Sequence, residues 1–183
     1  IPLILSGVFQ QLFNWVDALI VGNMIGETAL AGVGATSSFY NLFVTIIVSF
    51  TSGLSILFAQ QFGKKEYKEN AKLLSVYSIL LGSISFVIVI LGIIFIVPIL
   101  KLMDMPTALF NYARDYLMII FIGIPFLAIY NTYSSALRGM GNSAVPFIAV
   151  LISSVINIAL DYIFIAHLEY GVAGAAVATV ISQ

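Results

Sequence analysis

From Leu73 to Leu100 the chain reads LLSVYSILLGSISFVIVILGIIFIVPIL, without one charged side chain. About 20 predominantly apolar residues suffice to cross a hydrocarbon core roughly 30 Å thick, and this run exceeds that length. Upstream, the stretch from Ala29 to Phe62 is also free of charge and longer still, so a tilt or a bend near Thr51-Ser52-Gly53 is expected. Apolar residues make up 61% of the 183-residue chain, charged residues 8%, and the mean hydropathy is +1.12. A soluble domain carries about a quarter of its residues as charges, so water is not the solvent for most of this surface. In lipid every backbone polar group must be paired internally, which leaves helices and closed barrels. Barrels need short alternating strands, whereas these runs are continuous, and the sequence predicts an all-α integral membrane protein.

Charges and turn residues divide the chain into six expected spans, at about residues 2–25, 29–62, 73–100, 116–137, 143–166 and 171–183. Gly123 and Pro125 are placed to kink the fourth, and Pro146 falls in the first turn of the fifth. The chain opens at Ile1 without a charged leader and closes at Gln183 inside an apolar run, so both ends read as cuts and the sixth span as truncated. Basic residues in short loops set orientation. Lys64, Lys65, Lys68 and Lys72 lie between the second and third spans and Arg138 between the fourth and fifth. Lys101 and Arg114 are balanced by Glu27, Asp104, Asp115 and Glu169 in the other loops. The Lys64–Lys72 loop is therefore expected on the cytoplasmic face of a cell membrane, with the bilayer itself as one partner.

Two carboxylates, Asp17 and Asp161, interrupt apolar runs. A charge at mid-membrane costs at least ~2.5–3.5 kcal/mol on insertion scales, so such residues are rare without a task. Gln10, Asn14 and Asp17 share one face of the first helix, and Ser153, Asn157 and Asp161 repeat that stripe on the fifth. By the helical rise Asp17 stands roughly 13 Å, and Asp161 roughly 8 Å, from the outer ends of helices running in the same direction. Both acids are expected at one depth and in one site. With no Lys or Arg at that depth, they must take up protons or bind a cation, and either event couples the site to an ion gradient.

Plainer roles compete with this reading. Either acid could reach the interface from a helix end, and Asn14 or Asn157 could bond neighbouring helices, worth only ~0.6 kcal/mol on average. Trp15 and the tyrosines read as packing or interface aromatics, Arg138 as a loop anchor, and His167 as a solvated loop residue. The small residues from Gly171 to Thr179 suit close helix approach. Net charge −1 excludes a nucleic-acid partner of the usual basic kind, and the lack of cysteine with a single histidine excludes disulfides and thiolate or imidazole metal clusters.

The stretch from Pro2 through Gln11-Leu12-Phe13-Asn14-Trp15-Val16-Asp17 to Gly22 resembles the opening helix of the multidrug and toxic compound extrusion (MATE) family. Ile25-Gly26-Glu27-Thr28-Ala29-Leu30-Ala31-Gly32-Val33-Gly34, Ala136-Leu137-Arg138-Gly139-Met140-Gly141-Asn142-Ser143-Ala144-Val145-Pro146 and Asn157-Ile158-Ala159-Leu160-Asp161-Tyr162 continue the resemblance in order along the chain. The resemblance implies one six-helix lobe of a twelve-helix, two-lobe secondary transporter, here the N-terminal lobe, completed by a C-terminal lobe. It implies no enzyme activity and no cofactor beyond a coupling ion, H⁺ or Na⁺. By the same resemblance Asp17, Asn157, Asp161 and Thr179 form the cation site, Pro2 bends the first helix, and Gln10, Asn14 and Ser153 support the site. The exported substrate is expected to be an organic cation of amphipathic character, exchanged by alternating access. A lipid-linked saccharide flippase of the same plan is the nearest rival, but it handles anions and calls for basic cavity residues. A membrane enzyme lacks its catalytic motif here. A channel or passive scaffold would show ion flux uncoupled from substrate.

Overall fold

The computed structural model describes the backbone of residues 2–183 and the side chains of residue 5 and residues 7–183. Six helices follow one another: α1 (Pro2–Met24), α2 (Glu27–Gly63), α3 (Tyr67–Leu102), α4 (Thr107–Gly139), α5 (Ala144–Asp161), which runs on as a π-helical turn over Tyr162–His167, and α6 (Gly171–Ser182). Among the described residues, α2, α3, α4 and the α5–π unit are long and apolar enough to cross a membrane. Helix α1, at 23 residues, carries the polar stripe of the first expected span.

Several helices outrun the apolar stretches that announce them. Helix α3 starts at Tyr67 rather than near residue 73, and α4 starts at Thr107 rather than near 116. A helix, once nucleated, gains one hydrogen bond for each residue added, so polar turns extend it beyond the hydrocarbon zone. The correction matters for Arg114 and Asp115, which lie inside α4 and not in a loop. Arg114 donates from Nε and Nη2 to Asp115 Oδ1 at 2.9 and 2.8 Å. The fifth span also departs from expectation: beyond Asp161 it leaves α geometry for the π turn. Helix α2 runs through Thr51-Ser52-Gly53 without interruption. There the Thr51 and Ser52 hydroxyls donate to carbonyls of the preceding turn, from Ile47 and Val48.

The bundle is organised around α4. Helices α2, α3 and α6 pack on it, while α1 and α5 pair with each other and with α6. Between α2, α3 and α4 lies an apolar core that includes Phe58, Ile96, Leu100, Leu117, Phe121 and Ile124, each with almost no exposed surface. Small residues set the spacing. A Cβ on Gly139 would stand 2.4 Å from the Ser55 carbonyl oxygen of α2, and one on Gly92 of α3 would enter the Phe121 ring at 2.4 Å. The second group, α1, α5 and α6, has a much smaller apolar cluster of Val21, Ile165 and Ala175. Gly123 of α4 lets α6 lean in, since its Cβ would sit 2.8 Å from Val180. The α1–α2 turn closes at Gly26, whose φ of 114° favours glycine.

Candidate functional site

The polar stripes of α1 and α5 turn toward each other. Asp161, the last α-helical residue of α5, has no exposed surface and lies close to Asp17 of α1. Oδ1 of Asp17 and both carboxyl oxygens of Asp161 are buried without a hydrogen-bond donor among the described residues. The two acids expected at one depth thus lie near one another. A cavity of about 430 Å³ opens beside the pair, bounded by α1, α2, α4, α5 and α6. Gln10, Asn14, Asp17, Asn157 and Thr179 all line it, and no lysine or arginine does.

A second cavity of about 400 Å³ shares Gln10, Asn14, Asn157 and Thr179 with the first and continues along α5 past Ser153. The Asn157 amide nitrogen is buried and unpartnered, so this side chain offers its donor to the site and not to a neighbouring helix. Thr179 donates its hydroxyl to the Ala175 carbonyl at 3.0 Å, one turn back on α6, which leaves its oxygen as an acceptor toward the cavity. Ser153 plays a different part. Its Oγ donates to the Ser182 carbonyl at 2.7 Å and ties α5 to α6, so it is committed to the fold as well as lining the second cavity. Pro2 lies in the first turn of α1, and its side chain is outside the described residues.

Two tyrosines that read as packing aromatics belong to the cavity wall instead. Tyr116 of α4 and Tyr40 of α2 both line it, together with Asp17 and Gln183. On α2 a signal was present: Ser37, Tyr40 and Asn41 sit on one helical face and all line the cavity. Tyr116 gave no comparable signal, because it follows Arg114-Asp115 and looked like the edge of a loop.

The donor set at the acid pair is all oxygen, with one amide. Such a set suits protons or a hard cation and not a soft transition metal. Among the described residues no three His, Cys, Asp or Glu side chains gather as a metal cluster.

Comparison with known proteins places this geometry in context. The family model described as MatE matches residues 2–163. Over its whole length the chain is similar to the probable multidrug resistance protein YoeA of Bacillus subtilis, at 37% identity, and spans 40% of that protein. Among solved structures it superposes on a MOP superfamily transporter from Pyrococcus furiosus with a TM-score of 0.90 and 28% identity, covering 99% of this chain and 40% of that one. A MATE crystal structure in the bent conformation matches with a TM-score of 0.91 and 26% identity, covering all of this chain and again 40% of the other. The chain thus spans about two-fifths of the length of the relatives it matches.

Proposed function

This chain belongs to the MatE family, and from that premise we propose that it forms the N-terminal lobe of a multidrug exporter that exchanges an organic substrate for H⁺ or Na⁺. The observation that carries the reading is the proximity of Asp17 and Asp161, with unpartnered oxygens, beside a cavity that no lysine or arginine lines. Two carboxylates held together away from water repel each other, and each loses hydration that nothing nearby restores. A proton shared between them, or a Na⁺ held by Asp17, Asp161, the Asn157 carbonyl and the Thr179 hydroxyl, removes that penalty. Ion entry therefore stabilises the arrangement in which α1, α5 and α6 close together. Tyr116 lines the same cavity as Asp17 and adds a hydroxyl to its wall.

Coupling needs only that the ion and the substrate favour different arrangements of the same helices. A cationic, amphipathic substrate fits a cavity that carries Asp17 and no basic residue, and whose walls mix amide and hydroxyl groups with apolar and aromatic side chains. Filling the acid pair with the ion removes the charge that holds such a substrate. The second lobe completes the cavity, and the protein sits in the cell membrane with the Lys64–Lys72 turn in the cytoplasm. Substrates with anionic headgroups do not suit this cavity, because no lysine or arginine lines it.

The test uses the full-length parent in proteoliposomes with a fluorescent organic cation and an imposed pH or Na⁺ gradient. Wild type is expected to accumulate the dye against one gradient, which names the ion. Asp17→Asn and Asp161→Asn are expected to insert and fold but not to respond to that gradient. Wild-type transport in both variants would remove the acids from the mechanism.

A further inference from the structure

The turn joining α2 to α3 concentrates positive charge at one end of the bundle. Lys64, Lys65, Lys68 and Lys72 are all exposed there. Glu66 and Glu69 are exposed in the same stretch, but among the described residues only Lys72 forms an ion pair there, with Glu69 at 4.0 Å, and both partners are well solvated, so that pair holds little. Lys64, Lys65 and Lys68 have no ion-pair partner among the described residues. Directly at the turn, Phe62 and Tyr67 stack edge to face with centroids 5.7 Å apart, and both are exposed, Tyr67 to 59%. From this turn α2 and α3 descend with large apolar side chains on the outside, among them Ile56, Val76 and Ile79.

Taken in order, this surface presents free cations, then an aromatic pair, then an apolar face. A phospholipid with an acidic headgroup has the complementary profile: a phosphate and headgroup charge, a glycerol boundary where aromatic rings settle, and acyl chains. A soluble anion would match the lysines but would leave the rings and the apolar face without a partner. We propose that the α2–α3 turn is a binding surface for anionic phospholipid, with the headgroup among Lys64, Lys65 and Lys68 and the acyl chains along α2 and α3. This goes beyond the transport reading and does not depend on it, since lipid binding is measured without any gradient or substrate.

The purified full-length parent in neutral detergent is titrated with phosphatidylglycerol or phosphatidylcholine, and bound lipid is counted by native mass spectrometry. Phosphatidylglycerol is expected to be retained preferentially, and its affinity to fall about fivefold for each of Lys64→Gln, Lys65→Gln and Lys68→Gln. The triple variant is expected to bind the two lipids alike, while the triple arginine variant keeps the preference. Lys101→Gln, at the opposite end of the bundle, is expected to change nothing. The single variants alter exposed side chains only, so they keep the test in force if the triple variant does not accumulate. Equal retention of the two lipids by wild type, or an equal loss in Lys101→Gln, would overturn the proposal. Displacement by glycerol phosphate at matched concentration would also overturn it, by showing a site for free phosphate esters.

Discussion

The two halves of this bundle solve the membrane problem in opposite ways. Helices α2, α3 and α4 enclose a dry core of Phe58, Leu100, Leu117, Phe121 and Ile124, spaced by glycines where backbones approach. Helices α1, α5 and α6 share only Val21, Ile165 and Ala175 as a buried apolar cluster among the described residues, and between them hold Asp17, buried Asp161, and the cavity-lining Gln10, Asn14, Asn157, Thr179 and Gln183. Contacts among close-packed side chains are individually small and collectively large, so rigidity belongs to the first half. In the second, the buried acid oxygens have no hydrogen-bond partner among the described residues. Helix α4 packs against both halves and joins them.

The sharpest way to break this comparison is to neutralise the acids. Asp161→Asn and Asp17→Asn are expected to reduce gradient-driven uptake to background. Thermal stability should hold or rise, because a buried charge without a partner has been removed. A large fall in melting temperature would instead make the pair part of the scaffold. The next largest effect belongs to the dry half. Gly139→Ala drives a methyl group to 2.4 Å from the Ser55 carbonyl oxygen and 2.9 Å from Phe58 Cβ. Overpacking of this kind costs about 1–3 kcal/mol, so the thermal midpoint in detergent should drop while any folded protein keeps its ion preference.

Tyr116→Phe tests the seam between the halves. Loss of one hydroxyl beside the acids is expected to weaken ion binding by about 1 kcal/mol, read as a several-fold rise in the ion concentration for half-maximal uptake, with little change in stability. No change in ion dependence would return Tyr116 to the role of a packing aromatic. The smallest effect is expected from Ser153→Ala. Its bond to the Ser182 carbonyl ties α5 to α6, and interhelical bonds in membranes average only ~0.6 kcal/mol. A small stability loss with wild-type ion dependence would separate Ser153 from the coupling residues, despite its place on the same stripe.

The stripe shows how far linear reading reaches. Asp17 and Asp161 were identifiable because a charge in an apolar run is anomalous wherever it falls, and helical periodicity put Asn14 and Asn157 beside them. Depth and direction alone lead one to expect the two stripes to face each other, and in the fold Gln10, Asn14 and Asn157 line the same cavities. Tyr40 and Tyr116 were not legible as cavity residues, because an aromatic side chain with one polar atom is at home in a core, at an interface or in a cavity. Arg114 was misplaced for a related reason: charge density marks where lipid ends, and helices continue beyond that boundary.

By itself the sequence determined the solvent of this protein, its helical class and the identity of its anomalous groups. Those properties follow from hydropathy and from the rule that backbone polar groups in lipid must be paired within the chain. Tertiary structure alone decided which polar faces meet, which serine is consumed by an interhelical bond, and which tyrosines join the acids. These depend on helix rotation and close approach, set by small residues such as Gly92, Gly123 and Gly139 finding particular partners, and no periodicity within a single helix records the partner.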